Sequence, residues 1–161
     1  MSISLISEKS WNGILKIQEE AYTEILPEDI NILKSKWLSS PNTCAVYSNH
    51  QNMILAYLLA HPWVSEVPPK LHEKTPITIS LNLYLHDLAL AHAARGKGIA
   101  KKLVMNLIDN AKTQGFTKIL LVAVQDSDKF WAKFGFVVIP NALICPSYGD
   151  NAKLMEIALK I

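Results

Sequence analysis

The spacing of apolar residues changes several times along the chain, and each change predicts a new element. Polar and apolar residues alternate from Ser2 to Ile6, as in a strand that exposes one face. From Glu8 to Tyr22 apolar residues recur near every third or fourth position, which predicts a helix with one buried face. Residues Pro27 to Asp29 suit the first turn of a second helix, because apolar residues follow them at helical spacing up to Leu38.

The middle of the chain predicts three strands and then the clearest helix. Thr43 to Tyr47 and Met53 to Trp63 flank a short, turn-rich segment, which is typical of a β-hairpin. Val64 to Pro76 contains three prolines and no periodicity, so we expect a long loop there. Thr78 to Leu90 is strand-like. A single apolar stripe from Ile99 to Ala111 then predicts a helix.

The C-terminal third predicts three strands and one short helix. We expect strands at Thr117 to Val124, Phe136 to Ile144 and Lys153 to Ile161, with a helix at Ser127 to Phe134. The predicted order is β, α, α, β, β, β, α, β, α, β, β. That order predicts a mixed α/β fold of α+β type, and we expect one domain over residues 1–161.

Composition narrows the class of protein. Of 161 residues, 50% are hydrophobic and 19% are charged, which fits a globular domain with its own core. A net charge of +2 does not predict nucleic-acid binding. The apolar runs are shorter than the roughly 20 residues of a membrane helix, so we expect no membrane insertion. The N-terminus resembles no signal peptide, and we therefore expect a cytoplasmic protein in which Cys44 and Cys145 are reduced.

A glycine-containing basic turn joins the strand at 78–90 to the helix at 99–111. Backbone N–H groups at the start of a helix lack partners, and the helix dipole is positive there, so such a turn suits a phosphate. Two glycines let a phosphate approach the backbone closely, and a small residue in the first helical turn leaves space beside it. Two basic residues add positive charge. The six residues are Arg95, Gly96, Lys97, Gly98, Ile99 and Ala100. A plain connecting turn is the alternative.

Two familiar nucleotide-binding motifs do not fit this turn. The dinucleotide pattern GxGxxG fails because Lys101 occupies its third glycine position. The pattern GxxxxGK[ST] occurs nowhere in the sequence. Dinucleotide binding is therefore disfavoured.

The sequence RGKGIA instead resembles R/Q-x-x-G-x-G/A, the pyrophosphate-binding signature of the GNAT superfamily of acyl-CoA-dependent N-acetyltransferases. Leu88-Ala89-Leu90 lies five residues ahead of Arg95, where members of that superfamily have an apolar strand end. The segment from Phe130 to Phe136 resembles the late (L/F)-Y-x-K-x-G-F sequence. The resemblance covers roughly residues 83–137.

The resemblance implies the GNAT fold, with a central, mixed and mostly antiparallel sheet of about seven strands flanked by about four helices. In that fold the fourth strand splays from the fifth, and acyl-CoA lies in the opening. The resemblance also implies acetyl-CoA as co-substrate, without a metal. The residues it assigns to the cofactor are Leu88, Ala89 and Leu90 for pantetheine, Arg95 to Ala100 for the pyrophosphate, and Ser127, Phe130 and Trp131.

Two positions depart from the family pattern. Val124 stands where many members have Asn, so that side-chain contact to the cofactor is missing, and Ser127 is the small residue that follows. Trp131 stands where members usually have the Tyr that is credited with protonating the CoA thiolate. An indole N–H is not an acid at neutral pH, so we expect Trp131 to shape the thioester pocket.

His86 is the candidate general base. Simple strand alternation predicts that Tyr84, His86 and Leu88 share one face, and that Leu85, Asp87 and Ala89 share the other. An imidazole changes charge near neutral pH, so it suits deprotonation of an ammonium substrate directly or through water. The segment 84–90 also resembles the strand of arylalkylamine acetyltransferases, where a histidine stands at the place of His86. A purely structural histidine is the alternative.

Tyr148 is the candidate acid that replaces the missing tyrosine. It follows the predicted sixth strand on a turn that could fold back over the cleft, and a phenol is an acid of suitable strength. The alternatives are an ordinary turn tyrosine and protonation of the thiolate by solvent.

The sequence thus predicts an N-acetyltransferase that moves an acetyl group from acetyl-CoA directly to a primary amine of a small molecule or peptide. No covalent enzyme intermediate is expected, and neither cysteine has a role. The alternative is a CoA-binding regulatory module that has lost transfer activity, which Val124 and Trp131 motivate. We expect no nucleic-acid or membrane partner, and a monomer or homodimer.

Overall fold

A computed structural model describes residues 2–23 and 26–160. The helices in this part of the chain are α1 (Trp11–Ala21), α2 (Ile30–Ser39), α3 (Ile99–Thr113) and α4 (Asp128–Ala132). The strands are β1 (Ser2–Leu5), β2 (Ala45–Ser48), β3 (Ile54–Pro62), β4 (Asn82–Leu90), β5 (Lys118–Ala123), β6 (Val137–Val138) and β7 (Lys153–Ala158).

The predicted order of elements and the predicted fold class are confirmed. Within the described residues the sheet has seven strands in the order β1-β2-β3-β4-β5-β7-β6. Neighbouring strands are antiparallel except for β4 and β5, which are parallel and are joined through α3. A parallel pair needs such a crossover connection. The result is a mixed α/β fold with a mostly antiparallel sheet and four helices.

Several predicted bounds were wrong for local reasons. β4 begins at Asn82 rather than Thr78, because β3 ends at Pro62, which pairs with Leu83, and offers no partner to earlier residues. β6 covers two residues rather than Phe136 to Ile144, since Pro140 lacks a backbone N–H to continue the ladder. The predicted end of the last strand, Ile161, lies outside the described residues.

The start of the second helix also differs from the prediction. α2 begins at Ile30, and the side chain of Asp29 accepts a hydrogen bond from the N–H of Asn31 at 2.8 Å as its N-cap. Pro27 and Glu28 therefore precede the helix in the α1–α2 connection. This position frees the Glu28 side chain to point at the sheet.

The sheet separates two hydrophobic clusters. On one face α3 buries Leu103, Val104 and Leu107 against the central strands. On the other face α1 and α2 bury Ile14 and Leu33 against β3 and the end of β4. None of the helices in residues 2–23 and 26–160 has the length and apolar character needed to cross a membrane.

One irregularity in β4 positions everything that follows. β4 pairs with β5 from Asn82 to Leu85, and no pairing between them continues beyond Leu85 in the described residues. In the ladder to β3, Leu59 pairs with Asp87 and Ala60 pairs with Leu85, which leaves His86 as the extra residue of a β-bulge. The bulge bends β4 away from β5 at His86, so the strands splay as the resemblance implied.

Candidate functional site

The open edge of β4 presents backbone groups to the gap beside β5. The N–H of Ala91 donates to the carbonyl of Leu55 at 2.9 Å, so odd-numbered residues at this end of β4 hydrogen-bond to β3. The N–H and C=O groups of Leu88 and Leu90 therefore point to the opposite edge. Ala89 differs, because its backbone faces β3.

The glycine turn lies at the end of α3 that borders this gap. Gly96 and Gly98 have φ values of +76° and +75°, which L side chains rarely adopt. A Cβ atom added at either glycine would meet no protein atom within 4 Å. Gly98 is the N-cap of α3 and has no side chain to accept from the first N–H groups. Arg95 and Lys97 are exposed beside them.

A cavity of about 260 Å³ extends from this gap to the α1–α2 connection. On the β5 side the cavity is lined by Ala100 of α3, by side chains of α4 and by residues just before α4. Side chains of α1, the α1–α2 connection and β4 wall it on the other. Its lining includes Tyr22, Glu28, His86, Asp87, Leu88, Val124, Ser127, Phe130, Trp131 and Tyr148.

Glu28 is a cavity residue that sequence analysis missed. Gln18 of α1 holds its backbone at both groups, donating to the carbonyl at 3.1 Å and accepting from the N–H at 2.9 Å. Glu28 Oε2 accepts from the N–H of His72 at 2.9 Å, and Oε1 lies 2.5 Å from His86 Nε2. Since these partners come from distant segments, no short motif marks Glu28.

Glu28 and His86 form a buried hydrogen-bonded pair, with side chains 5% and 1% exposed. Burial acts to raise the pKa of Glu28. The interactions with His86, the N–H of His72 and Lys36 outweigh it and hold the pKa at about 2. Glu28 is therefore an anion at the cavity wall throughout the physiological range.

Two ring nitrogens behind this pair have no hydrogen-bond partner among the described residues. They are His86 Nδ1 and His61 Nε2. His61 Nδ1 contacts the carbonyl of Pro62 at 3.0 Å, so the proton of a neutral ring belongs on Nδ1. Burial, together with the neighbouring His86, lowers the pKa of His61 to about 3. His61 is therefore neutral. His86 lines the cavity, whereas His61 lies behind it.

The bulge corrects the predicted faces of β4. Asp87 shares the α1 side of the sheet with His86, because its carboxylate contacts the hydroxyls of Tyr22 and Tyr57. Leu88 instead packs on the α3 side. Simple alternation failed at His86 since the extra residue of a bulge shifts every later side chain to the other face.

The predicted cofactor side chains of the α4 region border the same cavity. Ser127 precedes α4, and Trp131 is buried with its ring packed edge-on against Phe130 and Phe136 at centroid distances of 4.9 and 5.7 Å. Val124 adds an apolar wall where many family members have Asn. Trp131 thus borders the cavity and offers no acidic proton to it.

Tyr148 lines the same cavity. Its hydroxyl contacts the carbonyl of Pro69 and lies 3.2 Å from the hydroxyl of Tyr84. Burial raises the pKa of Tyr148 well above its ordinary value. The phenol proton therefore has a protein acceptor in the long loop at 64–76, and the role of Tyr148 as an acid stays a prediction.

The Glu28–His86 pair predicts a specific dependence of stability on pH. The pKa of Glu28 is lower in the folded protein than in the unfolded chain, so its contribution is complete above about pH 5 and is lost as the pH falls towards 2. Between pH 5 and 2 the free energy of unfolding should fall by about 3 kcal/mol more in the wild type than in Glu28→Gln. Urea denaturation at a series of pH values measures this difference.

The control Glu8→Gln, which removes an exposed partner of Lys34, should follow the wild type. Parallel curves for Glu28→Gln and wild type would contradict the assignment.

Comparisons with known proteins agree with this architecture. The chain is 32% identical over 54 residues to glucosamine 6-phosphate N-acetyltransferase 1 of Oryza sativa subsp. japonica, a match that spans 34% of this chain and 33% of that protein. Ard1 from Thermoplasma volcanium superimposes with a TM-score of 0.77 at 17% identity, over 99% of this chain and 98% of that one. The GNAT-like decarboxylase GphF, in complex with isobutyryl-CoA, superimposes with a TM-score of 0.78 at 15% identity, over 99% and 100%.

At these identities the structural likeness shows the fold alone. The sequence match to the rice enzyme covers about a third of each protein. The model of the acetyltransferase (GNAT) family, however, matches residues 11–136, which include α1 to α4 and both splayed strands. The chain therefore belongs to the acetyltransferase (GNAT) family.

Proposed function

We propose that this protein transfers the acetyl group of acetyl-CoA directly to the nitrogen of a primary amine, carried by a small molecule or a peptide. The observation that carries the proposal is the continuous cavity between β4 and β5. One wall holds Ala100, where the glycine turn enters α3, together with α4, and the other holds an ionised carboxylate beside a histidine. Two reactants that enter from opposite sides would meet at Leu88.

The cofactor would bind through backbone groups more than through side chains. The pyrophosphate suits the free N–H groups at the start of α3, where no Cβ atom blocks close approach. The pantetheine would pair with Leu88 and Leu90 as an added strand, since β5 has left that edge. The N–H of Leu88 would then be available to the thioester oxygen as negative charge develops on it.

The acceptor amine would bind on the α1–α2 side. Glu28 offers a fixed negative charge to an ammonium group, and His86 shares a hydrogen bond with that carboxylate at 2.5 Å. A proton leaving the nitrogen can pass to His86 directly or through water, after which the free amine attacks the thioester. No covalent enzyme intermediate is needed.

The second candidate function is a CoA-binding regulatory module without transfer activity. Trp131 favours it, since the usual acid is missing from α4. The shared fold does not decide between the two, because the same fold occurs in a GNAT-like decarboxylase.

Turnover with a panel of acceptors decides between these functions. Small monoamines, polyamines, amino acids, aminoglycosides and peptide N-termini are each incubated with acetyl-CoA, and free CoA is measured together with the acetylated product. We expect amine-dependent release of CoA with at least one class. CoA binding without turnover on any of them would favour the regulatory module.

Substitution of Gly98 should weaken CoA binding without unfolding the protein. Gly98→Val adds a branched side chain where the pyrophosphate would approach, and we expect the Kd for acetyl-CoA to rise by at least about tenfold, or about 1.4 kcal/mol.

Gly115→Val is the matched control. Gly115 lies beyond the other end of α3, has a similar φ of +88° and also has open space around its Cβ position. It should share the loss of stability but keep the affinity. Equal Kd values by calorimetry in two folded variants would place the pyrophosphate elsewhere.

Removal of His86 should affect proton transfer and leave cofactor binding unchanged. Loss of a general base typically costs about 10²–10⁴-fold in rate. With the acceptor found by the panel, His86→Ala should lower kcat/KM to that degree and flatten the acidic limb of its pH profile. The Kd for acetyl-CoA is the internal control and should stay nearly constant. A variant with wild-type activity and the same acidic limb would leave His86 a structural residue.

A further inference from the structure

The hydroxyl of Tyr22 has one proton, and two neighbouring oxygen atoms can accept it in a hydrogen bond. It contacts Asp87 Oδ1 and lies 3.1 Å from the carbonyl oxygen of Leu88, while the hydroxyl of Tyr57 donates to Asp87 Oδ2 at 2.5 Å. A phenol carries one proton, so Tyr22 cannot donate a full, linear hydrogen bond to each of its two neighbours. If Oδ1 carries a proton and donates it to Tyr22, the Tyr22 proton is free for Leu88 and every oxygen of the group is satisfied.

The surroundings of Asp87 favour its neutral form. Asp87 is buried, with 7% of its surface exposed. None of the ion pairs found among the described residues includes it. Burial raises the pKa of Asp87, against the opposing effects of His86 and of the two tyrosine hydrogen bonds. The ionised neighbour Glu28 acts in the same direction as burial.

We propose that Asp87 holds a proton in the resting protein and that the Tyr22–Asp87 pair supplies the proton taken by the CoA thiolate as it leaves. The inference rests on the proposed acetyl transfer. Tyr22, Leu88 and Trp131 line one cavity, and the Tyr22 hydroxyl lies beside Leu88, where the thioester would sit. The acid thus comes from the wall opposite Trp131. Tyr22 is the catalytic residue, and Asp87 acts through it.

The transfer balances in protons and electrons. The amine nitrogen forms a bond to the acetyl carbon, and the bond from that carbon to sulfur breaks with its electron pair on sulfur. Sulfur takes the Tyr22 proton while Tyr22 takes the proton from Asp87 Oδ1. Before the attack the ammonium has given one proton to His86, which releases it to solvent. The amine nitrogen gives a second proton to His86 as its bond to the acetyl carbon forms. This second proton equals the one that Asp87 gives up, so its return to Asp87 restores the resting state.

Tyr148 is the competing source predicted from the sequence. Its hydroxyl contacts the Pro69 carbonyl and the Tyr84 hydroxyl, which ties it to two other segments of the chain. Tyr22 instead has an adjacent carboxyl group that can replace the donated proton. The same assay on Tyr148→Phe separates the two sources.

The protonation of Asp87 can be tested without any acceptor. In ¹³C NMR of the free protein at pH 7, the side-chain carboxyl carbon of Asp87 should have the chemical shift of a protonated acid. Asp87→Asn assigns the resonance and keeps the hydrogen bonds, because its amide N–H donates to Tyr22 and its oxygen accepts from Tyr57. A carboxylate shift at pH 7 would overturn the proposal even if the protein acetylates amines.

The role in transfer is tested by changing the leaving group. With acetyl-CoA, Tyr22→Phe and Asp87→Asn should each lower kcat by at least about tenfold, with an unchanged Kd for acetyl-CoA. With the selenoester analogue the loss should shrink to about threefold or less, because a selenolate is the weaker base and leaves without a proton. Tyr47→Phe is the control, since it removes a buried phenol on the α3 side of the sheet and should not change kcat with either donor.

Two results would exclude this source of the proton. One is an equal loss of kcat with both donors, which marks a structural role for Tyr22. The other is a wild-type kcat in Tyr22→Phe together with a donor-dependent loss in Tyr148→Phe, which assigns the acid to Tyr148. Absence of turnover in the wild type counts against acetyl transfer itself, and the NMR measurement then still decides the protonation of Asp87.

Discussion

The departure of β4 from β5 at His86 is the constraint on which the rest of the structure depends. Up to Leu85 the two strands are held by a parallel ladder, and beyond it β5 stays with β7 while β4 stays with β3. An unpaired strand edge in a protein interior is costly unless something else satisfies its backbone. Here the same gap gives the cavity its depth and leaves Leu88 and Leu90 with groups for a ligand.

The bulge also explains why so many polar groups are buried at one place. By placing His86 and Asp87 on the same side, it brings an imidazole and a carboxyl group against α1 and the α1–α2 connection. Each then needs partners, since a buried polar group without a hydrogen bond is costly. Glu28 supplies one partner, and Tyr22 and Tyr57 supply the others. The polar groups are therefore shared between stability and the proposed chemistry.

Sequence analysis was most accurate where consecutive residues determine the structure. The glycine turn, the apolar stripe of α3 and the late aromatic segment are each local patterns, and they led to the correct family and fold. It failed at His86, because a period-two pattern carries no mark of the extra residue in a bulge. It also missed Glu28, whose partner His86 lies 58 residues away and whose backbone is held by Gln18 in another element. Such contacts depend on the tertiary fold and have no signature in a single sequence.

Trp131 bears on where the acid of the proposed transfer lies. Its ring packs edge-on against Phe130 and Phe136 and forms part of the cavity wall. An indole has no acidic proton at neutral pH, so in the proposed transfer a side chain that protonates the leaving group would lie elsewhere on the cavity wall. The phenols available are those of Tyr148 and Tyr22, each anchored to a backbone carbonyl. They differ in what lies behind them, because Tyr22 has a buried carboxyl group in contact and Tyr148 has another phenol. A phenol backed by a carboxylic acid can be reprotonated as it donates, which makes the α1 side of the cavity the better place for this proton.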